Sequence, residues 1–350
     1  MRTPNEAPRF SIAVALLLGI GCGEGEAGLA PRTIDGFVER STKIACVRQD
    51  APSEAAGVVE DLVATSDSTF LVLYGLDRRV VHYRSDATPL FEVEFEENGP
   101  SGVKQPRSVA LVDDSLLYIT DVGRRQIKIL DHAGRDRGVL RTDVPPSVVR
   151  SGPSGVLMAA FPLARGGAVA RLVHVLDADA GAFRPLETPV APFHDLRVEA
   201  LANLIELTPL GDGTVIAAHQ LITSRAFVIR PRGSGFTVRE TTVPVPRAAS
   251  RRLGKVPSEL FEKEEIDEIA TPVLAASHDR ASGDYLYLTR TGRPGPEGGT
   301  EKAIIRATPD LEYLRSWILD VNAQRFAYLG KSRTAIVIDH DAGWHRCVLE

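Results

Sequence analysis

The chain has 350 residues, 43% hydrophobic, 25% charged and 6% aromatic, the composition of a folded protein with ample material for a buried core. Forty-one Lys and Arg against 46 Asp and Glu leave a formal charge of −5 at pH 7. The basic excess that neutralises a phosphate backbone is missing, so nucleic acid is excluded as a partner.

Residues 1–21 have the order of an export signal: Arg2 and Arg9, an apolar run from Phe10 to Leu18, then small residues. The run is about half the roughly 20 residues that span a bilayer, which predicts a cleaved signal rather than a permanent anchor. Gly19-Ile20-Gly21-Cys22 resembles a bacterial lipobox, and the resemblance implies that Cys22 becomes the lipid-bearing first residue of the mature chain. Cleavage as an ordinary secretory signal and no export at all are the alternatives. Residues 22–33, rich in glycine and acid, read as a flexible tether, and Gly23 after the cysteine resembles an outer-membrane sorting context.

An internal repeat follows. Leu62–Tyr83 aligns without a gap on Ser108–Ile129 at an offset of 46 residues, Val63 falling on Val109. Each unit has three short β-branched or aromatic runs separated by Asp, Ser and Gly, with a fourth at Phe91-Glu92-Val93 or Val139-Leu140. That pattern predicts one four-stranded antiparallel sheet per unit. The spacing recurs at Ser154–Asp177, Leu204–Ile229 and Gly283–Leu319, and a sixth unit, Phe326–Leu349, supplies only three strands. Ser41–Val47 is an unassigned strand that would complete the last sheet. The expectation is an all-β, six-bladed β-propeller over residues 34–350, its ring closed by the N-terminal strand. A seven-bladed ring and an eight-stranded sandwich are the alternatives. In this register Cys46 and Cys347 are neighbours, and export would let them form a disulfide; two independent buried thiols are the other possibility. Residues 244–271 break the rhythm as an insertion between the fourth and fifth units, where Pro257 and the dense Glu after it predict a helix.

The second unit resembles an NHL repeat: Gln105-Pro106 before Val109-Ala110, then Leu117-Tyr118-Ile119-Thr120-Asp121, then Arg125-Gln126-Ile127 ending near Asp131 and Gly134. The match is recognisable in the unit before it. In the other units Phe161, His219, Arg290 and His340 stand where Asp121 stands, so the acidic position is not repeated.

No nucleophile elbow, phosphate loop, HExxH helix, CxxC pair or CxxCH haem site is present. In a propeller, equivalent turns of successive blades converge, which makes Asp121, His219, Arg290, Asp339 and His340, at second-strand ends, the candidate channel-mouth ligands; turn capping is their other role. Resemblance to calcium- or zinc-dependent lactonase and lyase propellers implies a metal held by carboxylates, Asn or His from several blades. Arg290 in that ring argues instead for an anionic ligand. The leading expectation is a monomeric, cofactor-free propeller, held at the bacterial envelope by lipid on Cys22, that binds a protein or small ligand. The alternative is a hydrolase, lactonase or lyase with calcium or zinc in its channel, and a purely structural envelope component is the third reading.

Overall fold

The computed structural model describes residues 29–49, 58–99, 102–161, 171–193, 196–254, 269–296 and 299–350. The signal and lipid positions, Cys22 included, lie outside the described residues. The chain forms six four-stranded antiparallel blades in sequence order. Blade 1 comprises Val59–Ala64, Thr69–Tyr74, Arg79–Arg84 and Pro89–Glu94. Blade 2 comprises Pro106–Val112, Leu116–Asp121, Gln126–Asp131 and Asp136–Arg141. Blade 3 comprises Pro146–Gly152, Gly155–Ala160, Val173–Asp177 and Ala182–Pro185. Blade 4 comprises Ile205–Pro209, Val215–His219, Arg225–Arg232 and Gly235–Thr242. Blade 5 comprises Ala275–His278, Tyr285–Pro294, Thr300–Ala307 and Tyr313–Leu319. Blade 6 comprises Ala323–Leu329, Thr334–Asp339, Trp344–Val348 and, from the N-terminus, Cys46–Gln49. Inner strands of neighbouring blades touch all round, blade 6 against blade 1, so the ring is closed.

The middle strands read as nearly unbroken apolar runs because each blade is covered on both faces. Phe70, Val72 and Tyr74 of blade 1 pack against Ala327, Ile336 and Trp344 of blade 6, while Leu71 and Leu73 face Val109, Leu117 and Ile119 of blade 2. The same arrangement gives one apolar cluster for every blade pair. Each buried Val, Leu or Phe contributes roughly 1.5–3 kcal/mol, so truncating Phe70 to Ala should open the seam between blades 6 and 1 at a cost of about 3–5 kcal/mol.

The strand registers correct the repeat offset. Tyr74 pairs with Val59 and Asp121 with Pro106, so equivalent positions are 47 residues apart, not 46. The gapless alignment therefore matched residues on opposite faces of the two blades, because a one-residue slip in a strand exchanges its faces.

The N-terminal segment does more than complete blade 6. Thr33–Ile34 pairs in parallel with Val245–Pro246, and Phe37, in the short helix Phe37–Arg40, is buried in the core between blades 4 and 5. Thr42–Ile44 then lies parallel to Tyr313–Leu319 as a fifth strand of blade 5, and the chain crosses at Ala45 to reach blade 6. The single strand expected over Ser41–Val47 is thus two strands in two blades. Asp320 accepts the Cys46 backbone N–H at 2.9 Å at this crossing. Cys46 and Cys347 are paired in register and joined by a disulfide across 301 residues. Of the insertion at 244–271, Val245–Pro246 and the one-turn helix Arg247–Ser250 are described, while residues 255–268, where a longer helix was expected, lie outside the described residues.

Candidate functional site

Inner strands begin, and second strands end, at the same mouth of the ring: Pro106 pairs with Asp121, Ile205 with His219 and Ala323 with Asp339. Near this mouth the inner strands carry ionisable residues inside apolar stretches: Asp61 before Leu62, Arg150 after Val149, Glu206 between Ile205 and Leu207, Arg325 before Phe326. A charge in a short buried strand is costly unless another group pairs with it. Here Asp61, Arg150 and Glu206 pair with one another across the channel, while Arg325 donates to the backbone carbonyls of Glu60 and Gln324.

Arg150 of blade 3 donates to both oxygens of Asp61 of blade 1, Nη1 to Oδ2 at 2.8 Å and Nη2 to Oδ1 at 3.0 Å. Nη2 also donates to Oε1 of Glu206, in blade 4, at 2.8 Å. Ser108 of blade 2 donates its hydroxyl to Asp61 Oδ2 and accepts from Arg150 Nη1, both at 2.7 Å. The backbone N–H groups of Leu62 and Val109 also donate to Asp61, and Gln220 Nε2 donates to Glu206 Oε2 at 3.1 Å. Four successive blades are therefore tied by one buried cluster, with Asp61, Arg150 and Glu206 only 6%, 7% and 6% exposed. Burial opposes the charge on Arg150, but attraction to Asp61 and Glu206 and their hydrogen bonds outweigh it and hold the guanidinium pKa above its ordinary value. Burial pushes the Glu206 carboxyl up; Arg150 pulls it back, Asp61 adds to the rise, and the net position is above the ordinary carboxylate value.

Above the cluster, Glu60, Arg107 and Arg325 complete the lining of a hollow of about 40 Å³, room for a few waters or one small polar group of a larger molecule. Below it, Arg150 also lines a second hollow of about 90 Å³ with Thr65, Asp114, His278 and Arg280. Arg150 is common to the lining of both. A roomier groove of about 690 Å³ lies at the rim, between Pro189–Phe193 and Ile222–Arg225, but its walls are mostly apolar and backbone groups.

The residues expected at the channel mouth share this face of the ring, yet none of the five lines the central hollow. Asp121 is fully buried and accepts the backbone N–H groups of Lys104, Gln105 and Arg124, fixing the turn into the left-handed Arg125 (φ 52). Asp339 accepts the N–H groups of Asp341 and Gly343 and the Nε2–H of His345 at 2.7 Å, again closing a turn. His340 is exposed beside Asp341. Arg290 sits at 9% exposure within blade 5's long second strand. His219 is fully buried, its ring 6.0 Å from Phe227; Nδ1–H donates to Ala202 O at 2.6 Å, leaving Nε2 without a hydrogen-bond partner among the described residues. Burial lowers its pKa to about 4. The residues that do converge lie on inner strands and not at second-strand ends. The signal that would have found them is an ionisable residue inside a four-to-seven-residue inner strand, and Gln220, one place beyond His219, is the second-strand residue that reaches the cluster.

Calcium or zinc, implied by the resemblance to metal-dependent propellers, can be tested against these residues. Among the described residues no three His, Cys, Asp or Glu side chains lie together as a ligand set. The two carboxylates that face each other in the channel are already bridged by the Arg150 guanidinium, so the side chains present do not fit a divalent cation.

No family model and no curated protein sequence matches the chain. Solved structures do match in fold. A gluconolactonase from Xanthomonas campestris superposes with a TM-score of 0.56 at 14% identity, covering 93% of this chain and 98% of its own. A member of the DUF4221 family from Bacteroides vulgatus gives 0.60 at 8% identity, covering 89% and 99%. Virginiamycin B lyase from Staphylococcus aureus gives 0.50 at 13% identity, covering 89% and 96%. The chain is similar to these proteins in its propeller fold.

Proposed function

We propose that the chain is a small-molecule enzyme of the lactonase and lyase kind, working at the channel mouth where the inner strands begin. The observation that carries this reading is the convergence there of Glu60, Asp61, Arg107, Arg150, Glu206 and Arg325 from five blades on a hollow sized for one polar group. The gluconolactonase and virginiamycin B lyase activities found on the same fold support it. The chemistry is assigned to this chain's own side chains. Guanidinium donors of Arg107 and Arg325 at the rim suit a carbonyl or carboxylate oxygen and stabilise the charge that develops on it. Among the described residues Glu60 has no ion-pair partner, which suits it to take a proton from water, for ring-ester hydrolysis, or from carbon, for elimination. The test is turnover of a panel of lactones and cyclic depsipeptides by the full chain. Glu60→Gln and Arg325→Ala should each lower kcat/KM by roughly 10²–10³-fold with an unchanged melting temperature. Absence of turnover across the panel would sink the reading.

The non-catalytic binding reading is favoured by one observation: the deepest carboxylates, Asp61 and Glu206, already share a guanidinium and are not free to act on a substrate. On that reading the rim variants weaken ligand binding and no turnover exists to lose. On either reading we place the protein in a bacterial envelope on a lipid at Cys22. Support comes from the Cys46–Cys347 disulfide, a bond that persists in oxidising compartments. A Cys22→Ser chain that still carries a lipid mass and partitions into detergent would remove that assignment.

A further inference from the structure

Two carboxylates from opposite blades of a six-blade ring, Asp61 of blade 1 and Glu206 of blade 4, meet on a single cationic side chain from blade 3. Five oxygens contact its two terminal nitrogens at 2.7–3.0 Å: both of Asp61, Oε1 of Glu206, the Ser108 hydroxyl and the Val149 carbonyl. We propose that Arg150 is the resident cation of this channel, its guanidinium closing a site that these oxygens would otherwise offer to a divalent metal. An all-oxygen set of two carboxylates, a hydroxyl and a backbone carbonyl is the donor chemistry hard cations such as calcium take, with water completing six to eight ligands. Formally the carboxylates bring two negative charges and Arg150 one positive, so the cluster keeps a net charge of one negative, whereas a divalent ion in place of the guanidinium would bring it to zero. The ion is kept out by this pairing: to admit it, both Asp61 and Glu206 must release a guanidinium that is 7% exposed and would then be buried without a counter-charge. The charge at the floor of the mouth is thereby supplied by the chain itself and does not depend on metal supply.

This inference is independent of the catalytic reading, since either an enzyme or a binding protein could carry such a closed site. Its test therefore reads metal and melting, not turnover. The chelator-treated wild-type protein is titrated with calcium, zinc and manganese and followed by calorimetry and thermal melting. The expected result is no saturable binding and no shift in melting temperature. Arg150→Ala is then titrated with calcium; it should bind one ion per chain and melt about 5 °C higher at a hundredfold excess over its Kd. Asp61→Asn added to Arg150→Ala should abolish that binding. If Arg150→Ala does not fold alone, Arg150→Met is refolded with and without millimolar calcium, and only the calcium sample should regain the native circular dichroism. Wild-type binding of a divalent ion that is lost on Asp61→Asn or Glu206→Gln would overturn the proposal. So would a folded Arg150→Ala protein, or a refolded Arg150→Met protein, indifferent to calcium.

Discussion

Blades 1 to 4 are tied inside the channel by buried charges, whereas blades 4 to 6 are strapped from outside by the N-terminal segment through strand pairing, the apolar anchor Phe37 and the Cys46–Cys347 bond. The two fasteners act on different states. The disulfide restricts the unfolded chain, so its contribution does not depend on close contacts in the folded ring. The ionic cluster exists only in the folded state, where desolvation consumes most of the Coulombic gain, so its members are strongly interdependent. The outer strap therefore tolerates change one contact at a time, and the inner cluster does not.

The sharpest way to break this comparison is at Arg150. Arg150→Met should destabilise by about 3–5 kcal/mol, because Asp61 and Glu206 remain buried without a counter-charge. Replacing all three, Asp61→Asn, Arg150→Met and Glu206→Gln, should recover most of that loss. Urea midpoints decide it: a triple variant no more stable than the single one would mean that the cluster gives net stability rather than mutual dependence. Next is the strap. Cys46→Ser with Cys347→Ser should cost about 2–4 kcal/mol, with about 6 kcal/mol as the chain-entropy ceiling for a closed loop of this length. Partial loss of blade 6 pairing, read by hydrogen exchange at Trp344–Val348, should accompany it; unaltered exchange there would show that Thr42–Ile44 holds the strap without the disulfide.

Much of the outer fastener was legible in the sequence and almost none of the inner one. Short β runs at a regular spacing, three strands in the last unit and a spare strand near the N-terminus led to six blades, ring closure and the Cys46–Cys347 neighbourhood, because strand count and turn chemistry are local properties. The crossing at Ala45 was hidden, since nothing in Ser41–Val47 says that its two halves pair with different blades. The cluster was hidden for a different reason: Asp61, Ser108, Arg150 and Glu206 are 42 to 89 residues apart along their hydrogen bonds, and only closure of the ring brings them together. Asp121 and Asp339 stand out in the sequence because they punctuate turns, and punctuating turns is their role in the structure.

Acid separates the fasteners further. His219 and His278 both have pKa values lowered to about 4 by burial, so below 6.5 the unfolded chain takes up protons that the folded one refuses. Their contribution is present above pH 6.5 and is lost as pH falls toward 4, by about 3 kcal/mol for the fully buried His219. Glu206 works in the opposite sense: its raised pKa favours the protonated form in the fold, so it disfavours folding as pH rises through that pKa and is no source of acid instability. Urea midpoints between pH 7 and 4 should therefore fall steeply in wild type and in Glu206→Gln, and less steeply in His219→Gln. An acid slope unchanged by His219→Gln would place the sensitive group elsewhere.

The smallest effect concerns how closely the tied blades approach. Gly152 ends the inner strand of blade 3, and a Cβ placed on it would stand 2.5 Å from the Pro209 Cβ of blade 4, too close for two carbons. Pro209 is a rigid ring on an inner strand and cannot swing aside, so Gly152→Ala must push blades 3 and 4 apart just beyond the Arg150–Glu206 contact. A cost of about 1–3 kcal/mol is expected for such overpacking. Gly155, three residues on, is the control: its φ of +93 makes Ala conformationally unfavourable, but nothing lies within 4 Å of the added carbon. Gly155→Ala should cost about 1 kcal/mol through the backbone alone and leave the cluster undisturbed. Gly152→Ala should in addition loosen the salt bridge, seen as a larger loss in the wild-type background than in the triple variant that lacks the charges. Equal losses in the two backgrounds would mean that the blades yield at their ends without moving the channel, and that the ionic cluster alone sets the spacing of blades 1 to 4.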